Sequence, residues 1–138
     1  MSAGDHAPFE AVAAGERFSC ALNAQGAAFC WGTNSFGELG TGTTDQATTP
    51  QAVVGEVTFA SLSAAGRHTC ALSPTGIAYC WGLNDVGELG TSAADVCTTV
   101  AGRQVECSLR PVPVAGDLRF ASVDVGWEHT CGLTQDGT

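Results

Sequence analysis

The chain contains no lysine: its five basic residues are Arg17, Arg67, Arg103, Arg110 and Arg119, set against 14 acidic ones. That absence removes the lysine chemistries, from phosphate-loop and kinase lysines to Schiff-base catalysis. The formal charge of −9 leaves no field to draw in a phosphate backbone, so nucleic acid is not an expected partner. Acidic balance suits a solvated face or a basic partner surface. No stretch approaches the roughly 18 consecutive apolar residues of a membrane span, and no apolar run shows the 3.6-residue period of a helix. Nucleophile-elbow, calcium-loop and glycosylation motifs are missing too. With 44% apolar residues among 138, the composition is that of an ordered globular domain.

Glycine and cysteine are plentiful, at 18 and seven residues, and their spacing exposes a repeat. From Phe18 the chain reads FSCALNAQGAAFCWGTNSFGELGTG and from His68 it reads HTCALSPTGIAYCWGLNDVGELGTS. Cys20 and Cys70, Gly26 and Gly76, Cys30 and Cys80, Trp31 and Trp81, and Gly40 and Gly90 are each 50 residues apart. A third copy starts at Phe120, where FASVDVGWEHTCGLTQDG matches FASLSAAGRHTCALSPTG from Phe59, yet Cys131 lies 61 residues after Cys70. The extra 11 residues interrupt the second copy between Thr91 and Arg110 and bring Cys97 and Cys107 with them. The expected organisation is an N-terminal segment (1–8), repeats over 9–58 and 59–119, and a third repeat over 120–138 that stops inside its hairpin turn.

Short apolar runs between glycine turns at this period predict an all-β chain, with β-propeller blades of four antiparallel strands. In the second copy the strand candidates are FASLSA, HTCALS, GIAYCWG and the proline-flanked RPVPV from Arg110. The central hairpin can be derived residue by residue. Asn23-Ala24-Gln25-Gly26-Ala27 fits a three-residue loop whose glycine takes the left-handed conformation, and Ser73-Pro74-Thr75-Gly76-Ile77 repeats it. That turn sets residue 20 against 30 and 70 against 80 as non-hydrogen-bonded pairs, where side chains approach most closely. Cross-strand disulfides Cys20–Cys30 and Cys70–Cys80 are expected, with Cys97–Cys107 closing the insertion. In the same register Cys131 would face position 141, so it is expected to be unpaired by truncation. Paired cysteines predict an oxidising compartment: extracellular, periplasmic or cell surface. Met1 to Glu10 holds no apolar signal core, so an export signal is expected upstream or already removed.

These residues resemble the regulator of chromosome condensation repeat family, whose blades read approximately G-x-x-H-[ST]-x-A-L-x-x-x-G-x-x-[YF]-x-W-G-x-N-x-x-G-Q-L-G. The match falls on Leu22, Gly26, Phe29, Trp31, Gly32, Asn34, Gly37, Leu39 and Gly40. In the second copy it falls on His68, Thr69, Ala71, Leu72, Gly76, Tyr79, Trp81, Gly82, Asn84, Gly87, Leu89 and Gly90. Glu38 and Glu88 stand where glutamine is usual, and Phe18 replaces the usual histidine. The cysteine pairs look like those of extracellular bacterial members. The resemblance implies a seven-bladed propeller of roughly 350 residues, of which this segment would be an incomplete part with poor stability alone.

Other features carry structural readings. Trp31 and Trp81 are expected in the core of a sheet covered on both faces. His68 and His129 precede cysteines by two residues, but the spacing matches no metal motif, and a structural histidine is expected. Gly37, Gly40 and Gly42 are turn glycines, lacking the strand-to-helix context of a phosphate loop. No catalytic, cofactor-binding or metal-binding residue is nominated. The insertion is the individual feature of the chain; it reads equally as a tolerated structural loop or as a contact site for another protein, with Arg103, Glu106 and Arg110 as the candidate contact residues. The resemblance implies a non-enzymatic protein-binding or scaffold module without a cofactor, needing the remaining blades of the same chain. It leaves open an enzyme, an enzyme inhibitor such as the β-lactamase inhibitors of this type, and a nucleotide-exchange regulator of a small GTPase.

Overall fold

The computed structural model describes residues 9–93, 95–116, 119–126 and 130–135. The segment 1–8, His129 and the third copy's turn at Gly137-Thr138 lie outside the described residues. The first repeat folds as a meander of β1 (Phe9–Ala14), β2 (Phe18–Asn23), β3 (Ala28–Gly32) and β4 (Ala47–Ala52), each strand paired to the next. The second contains β5 (Ser61–Ala65), β6 (His68–Leu72), β7 (Ala78–Leu83), β8 (Asp95–Thr98) and β9 (Gln104–Pro113). β10 (Phe120–Val125) and β11 (Thr130–Thr134) form an antiparallel pair. All described pairings are antiparallel, the arrangement of propeller blades.

The hairpin register follows from its turn. Asn23 N–H donates to the Ala27 carbonyl at 3.1 Å, and Gly26, at φ +80°, donates to the Asn23 carbonyl at 3.0 Å. From there Leu22 faces Ala28, Ala21 faces Phe29 and Cys20 faces Cys30; Cys70 faces Cys80 in the second sheet. Both pairs are disulfide-bonded with Cα atoms 4.1 Å apart, the close spacing of non-hydrogen-bonded positions. The turn glycines also join the blades. The Gly26 carbonyl accepts from Phe59 N–H and the Gly76 carbonyl from Phe120 N–H, both at 2.8 Å, so each blade's turn holds the first phenylalanine of the next.

The sheets pack face to face. The Cys20–Cys30 face of the first meets Phe59, Ala71 and Trp81 of the second, with Leu39 buried among them. The Cys70–Cys80 face of the second packs with Leu89 against Val112, Val114, Val123 and Val125. The closest strand contacts between sheets run from β5 to β1, β2 and β10, and from β6 to β10. Neighbouring blades therefore touch at their first strands and splay outward, and loops fill the wedge.

Two expectations need correction. Trp81 is completely buried, with its indole N–H donating to the Glu38 carbonyl at 2.9 Å, but Trp31 is only half-buried. Its face of the first sheet meets no other sheet among the described residues, and Phe9 stacks on it at 6.1 Å instead. The second sheet has five strands in the order β5-β6-β7-β9-β8, not four. The inserted residues are not a loop beside the blade: they supply an outer strand and lengthen the one that was expected at RPVPV.

Candidate functional site

β9 pairs with β7 from Pro113, opposite Tyr79, back to Cys107, opposite Leu83, and continues beyond that end alongside β8. The β8–β9 hairpin thus projects past its own sheet. Its turn is closed by Gly102 N–H to the Thr99 carbonyl at 2.8 Å and by Arg103 N–H to Thr99 Oγ1 at 3.0 Å. Cys97 faces Val105 while Cys107 faces Asp95, so the Cys97–Cys107 bridge runs diagonally across the ladder, with Cα atoms 6.0 Å apart. Cys97, Val105 and Cys107 bury Phe36, which belongs to the loop after β3 in the preceding blade. That loop lies tight against the base of the hairpin, since a Cβ on Gly37 would come within 2.6 Å of the Ser108 carbonyl oxygen. The hairpin is a wall built across the joint between two blades.

The three charged residues singled out in the insertion are spread along this hairpin. Arg103, at the turn, lies 3.5 Å from the Asp85 carboxylate and is exposed. Glu106 anchors the hairpin to its own blade: its carboxylate accepts from Asn84 Nδ2 and, at 2.8 Å, from Ala93 N–H. Arg110 lies at the far end, where its guanidinium approaches Gly42 of the first blade and its carbonyl accepts from Ser108 Oγ at 2.5 Å. Cys131 is a free, exposed thiol.

Beneath the hairpin turn lies a cleft of about 430 Å³. One wall is Thr98 to Ala101; the other comes from the β1–β2 and β5–β6 turns with Glu16, Arg17, Gly66 and Arg67, and Thr33, Ser35, Phe36 and Glu38 complete it. The two turns are tied by Glu16 N–H to the Gly66 carbonyl at 2.9 Å. Arg67 Nε lies 3.4 Å from Glu16 Oε1, and its guanidinium sits 5.1 Å from the centre of the Phe36 ring. Sequence reasoning missed Arg17 and Arg67. Their signal was present, since they occupy equivalent positions of the two copies, 50 residues apart.

Glu38 and Asn34 hold the loop under the cleft. Asn34 Oδ1 accepts from Leu39 N–H and Glu38 Oε1 from Phe36 N–H, at 2.9 and 2.8 Å, and both side chains are buried. Asn84 and Glu88 repeat the pattern with Leu89 and Val86. Burial pushes the Glu38 carboxyl above the usual carboxylate range, against the opposing pull of its backbone hydrogen bonds and of Arg67. Burial raises Glu88 as well, and Asp85 adds to the effect. His68, fully buried, lies 3.1 Å through Nε2 from Thr130 Oγ1, and that hydroxyl donates to the Glu88 carbonyl at 2.7 Å. Histidine therefore bridges the second blade to β11. Among the described residues no group of three or more His, Cys, Asp or Glu side chains could hold a metal ion.

Comparison with known proteins agrees with this architecture. The yeast RCC1 protein Prp20, solved with Kap60 bound, superposes with a TM-score of 0.74 at 24% identity, over 93% of this chain and 30% of that one. Human WBSCR16 superposes at 0.76 with 18% identity, over 94% of this chain and 31% of that one. The chain thus spans about a third of the length of these structures. No curated protein sequence matches it. Two models of the regulator of chromosome condensation (RCC1) repeat match directly, one over residues 9–38 and 59–88, the other over 25–72 and 75–133. The paired hairpins, the Asn-x-x-Gly-Glu-Leu-Gly loops and the inter-blade tryptophan are the structural expression of that match, and the chain belongs to the regulator of chromosome condensation repeat family.

Proposed function

We propose that the chain is part of a non-enzymatic protein-binding module, an extracellular β-propeller that engages its partner through the β8–β9 hairpin. The observation that carries this reading is the exposure of apolar side chains around that hairpin. Val100 at its turn is fully exposed, while Val96 on β8 and Val86 beside Asp85 are 64% and 61% exposed. Water-facing valines on a projecting element held rigid by a disulfide fit a surface that another protein covers. Protein binding is also a property of a yeast relative, Prp20p from Saccharomyces cerevisiae, which binds Gsp1p and histones. The three disulfides suit an oxidising compartment, which favours the extracellular reading over a nuclear or cytosolic regulator.

The test is site-specific photo-crosslinking from position 100, with position 48 on β4 as control, in the extracellular fraction of the producing organism. A discrete protein adduct from position 100 and none from position 48 is the expected result. Equal labelling from both positions, or none from position 100, overturns the reading.

A further inference from the structure

Arg17 and Arg67 are two of only five cations in a chain of net charge −9, and both line the cleft beneath the hairpin. Arg67 is occupied by Glu16 and the Phe36 ring. Arg17 is exposed and makes no ion pair among the described residues. Hydroxyl-bearing Thr33, Ser35, Thr98 and Thr99 share the cleft with it. An arginine with no ion pair among the described residues, in a cleft also lined by hydroxyl-bearing residues, favours a carboxylate, which its guanidinium can hold in a two-pronged, charge-assisted pair. The neighbouring carboxylates do not cancel this: Glu16 is matched by Arg67, and Glu38 is buried and turned to the Phe36 N–H. Repulsion from the remaining acidic surface is screened beyond roughly 8 Å at physiological ionic strength.

The cleft is continuous with apolar surface. Val100 belongs to its lining and is fully exposed, so a small carboxylate in the hollow would leave that valine in water. A protein segment covers both. We propose that the cleft receives an acidic side chain of the partner protein, with Arg17 pairing to an aspartate or glutamate and Val100 packing on an apolar residue beside it. This assignment rests on the protein-binding reading above and names the chemistry recognised.

The experiment presents the full chain, unreduced, to short peptides carrying one Asp or Glu flanked by leucines, each matched with its Asn or Gln counterpart. Acidic peptides are expected to bind about tenfold or more tightly than their amides. Arg17→Gln should abolish that preference, Arg17→Lys restore part of it, and Arg119→Gln, outside the cleft, leave it intact. Equal binding of acids and amides, failure of both series at millimolar concentration, or a preference that survives Arg17→Gln overturns the acidic anchor. Val100→Asp separates the two readings. If it abolishes binding while Arg17→Gln has no effect, the anchor is wrong and the protein-binding surface stands; if neither variant changes binding, both are wrong.

Discussion

A glutamate in place of glutamine changes the energetics of the loop between blades while keeping the hydrogen bond from Phe36 N–H. Glu38 is 1% exposed, and its Oε1 accepts from Phe36 N–H, a bond that a glutamine oxygen can also accept. The charge is the difference. Burial raises the Glu38 carboxyl in the folded protein above its ordinary value, so the folded state binds the proton more tightly than the unfolded chain. Stability from this group is fully present below the ordinary carboxylate value and is lost as pH rises through the raised one. Glu38→Gln should therefore raise the unfolding midpoint at neutral pH, with the gain vanishing in acid below the ordinary carboxylate range. Denaturant titrations of both proteins at several pH values check this, and a gain that persists unchanged in acid would contradict it.

At the scale of elements, the reading from sequence succeeded where one turn dictates the rest. Gly26 and Gly76 fix the hairpin loops, and the loops fix which cysteines face each other. The insertion was legible as an interruption of the repeat and as a cysteine pair. Its conversion of β9 into a ten-residue strand shared between β7 and β8 was not, because RPVPV alone reads as a short edge strand and nothing local says that Gln104 to Leu109 continues it. Trp31 and Trp81 look identical in sequence, yet only Trp81 is enclosed, since burial depends on which neighbour covers a face. The cleft left the faintest trace. Its walls come from residues 16–17, 33–38, 66–67 and 98–101, which only the docking of one blade on the next brings together. Removing the bridge tests the hairpin as an element. The double variant Cys97→Ser with Cys107→Ser should cost about 2–3 kcal/mol in chemical denaturation, from the loop-closure entropy returned to the unfolded chain. A cost near zero would show that the Phe36 cluster alone holds the hairpin.

For the whole molecule, the cysteine inventory is a statement about where the chain matures. Six cysteines are bridged and Cys131 is free and exposed. Alkylation of unreduced protein from an oxidising compartment should add one label by intact mass, and seven after reduction; seven before reduction would sink the disulfide assignment. Each of the three bridges spans ten residues and stays within one sheet. Among the described residues, no covalent tie besides the backbone joins the first blade to the second. The connection between them includes Glu56, exposed and held at φ +55°, a backbone conformation that non-glycine residues seldom adopt. A glutamate-directed protease that cut there would leave two halves held only by non-covalent contacts: packing, hydrogen bonds and the Arg67–Glu16 ion pair. They would run together in native buffer and come apart in detergent, with no reducing agent needed.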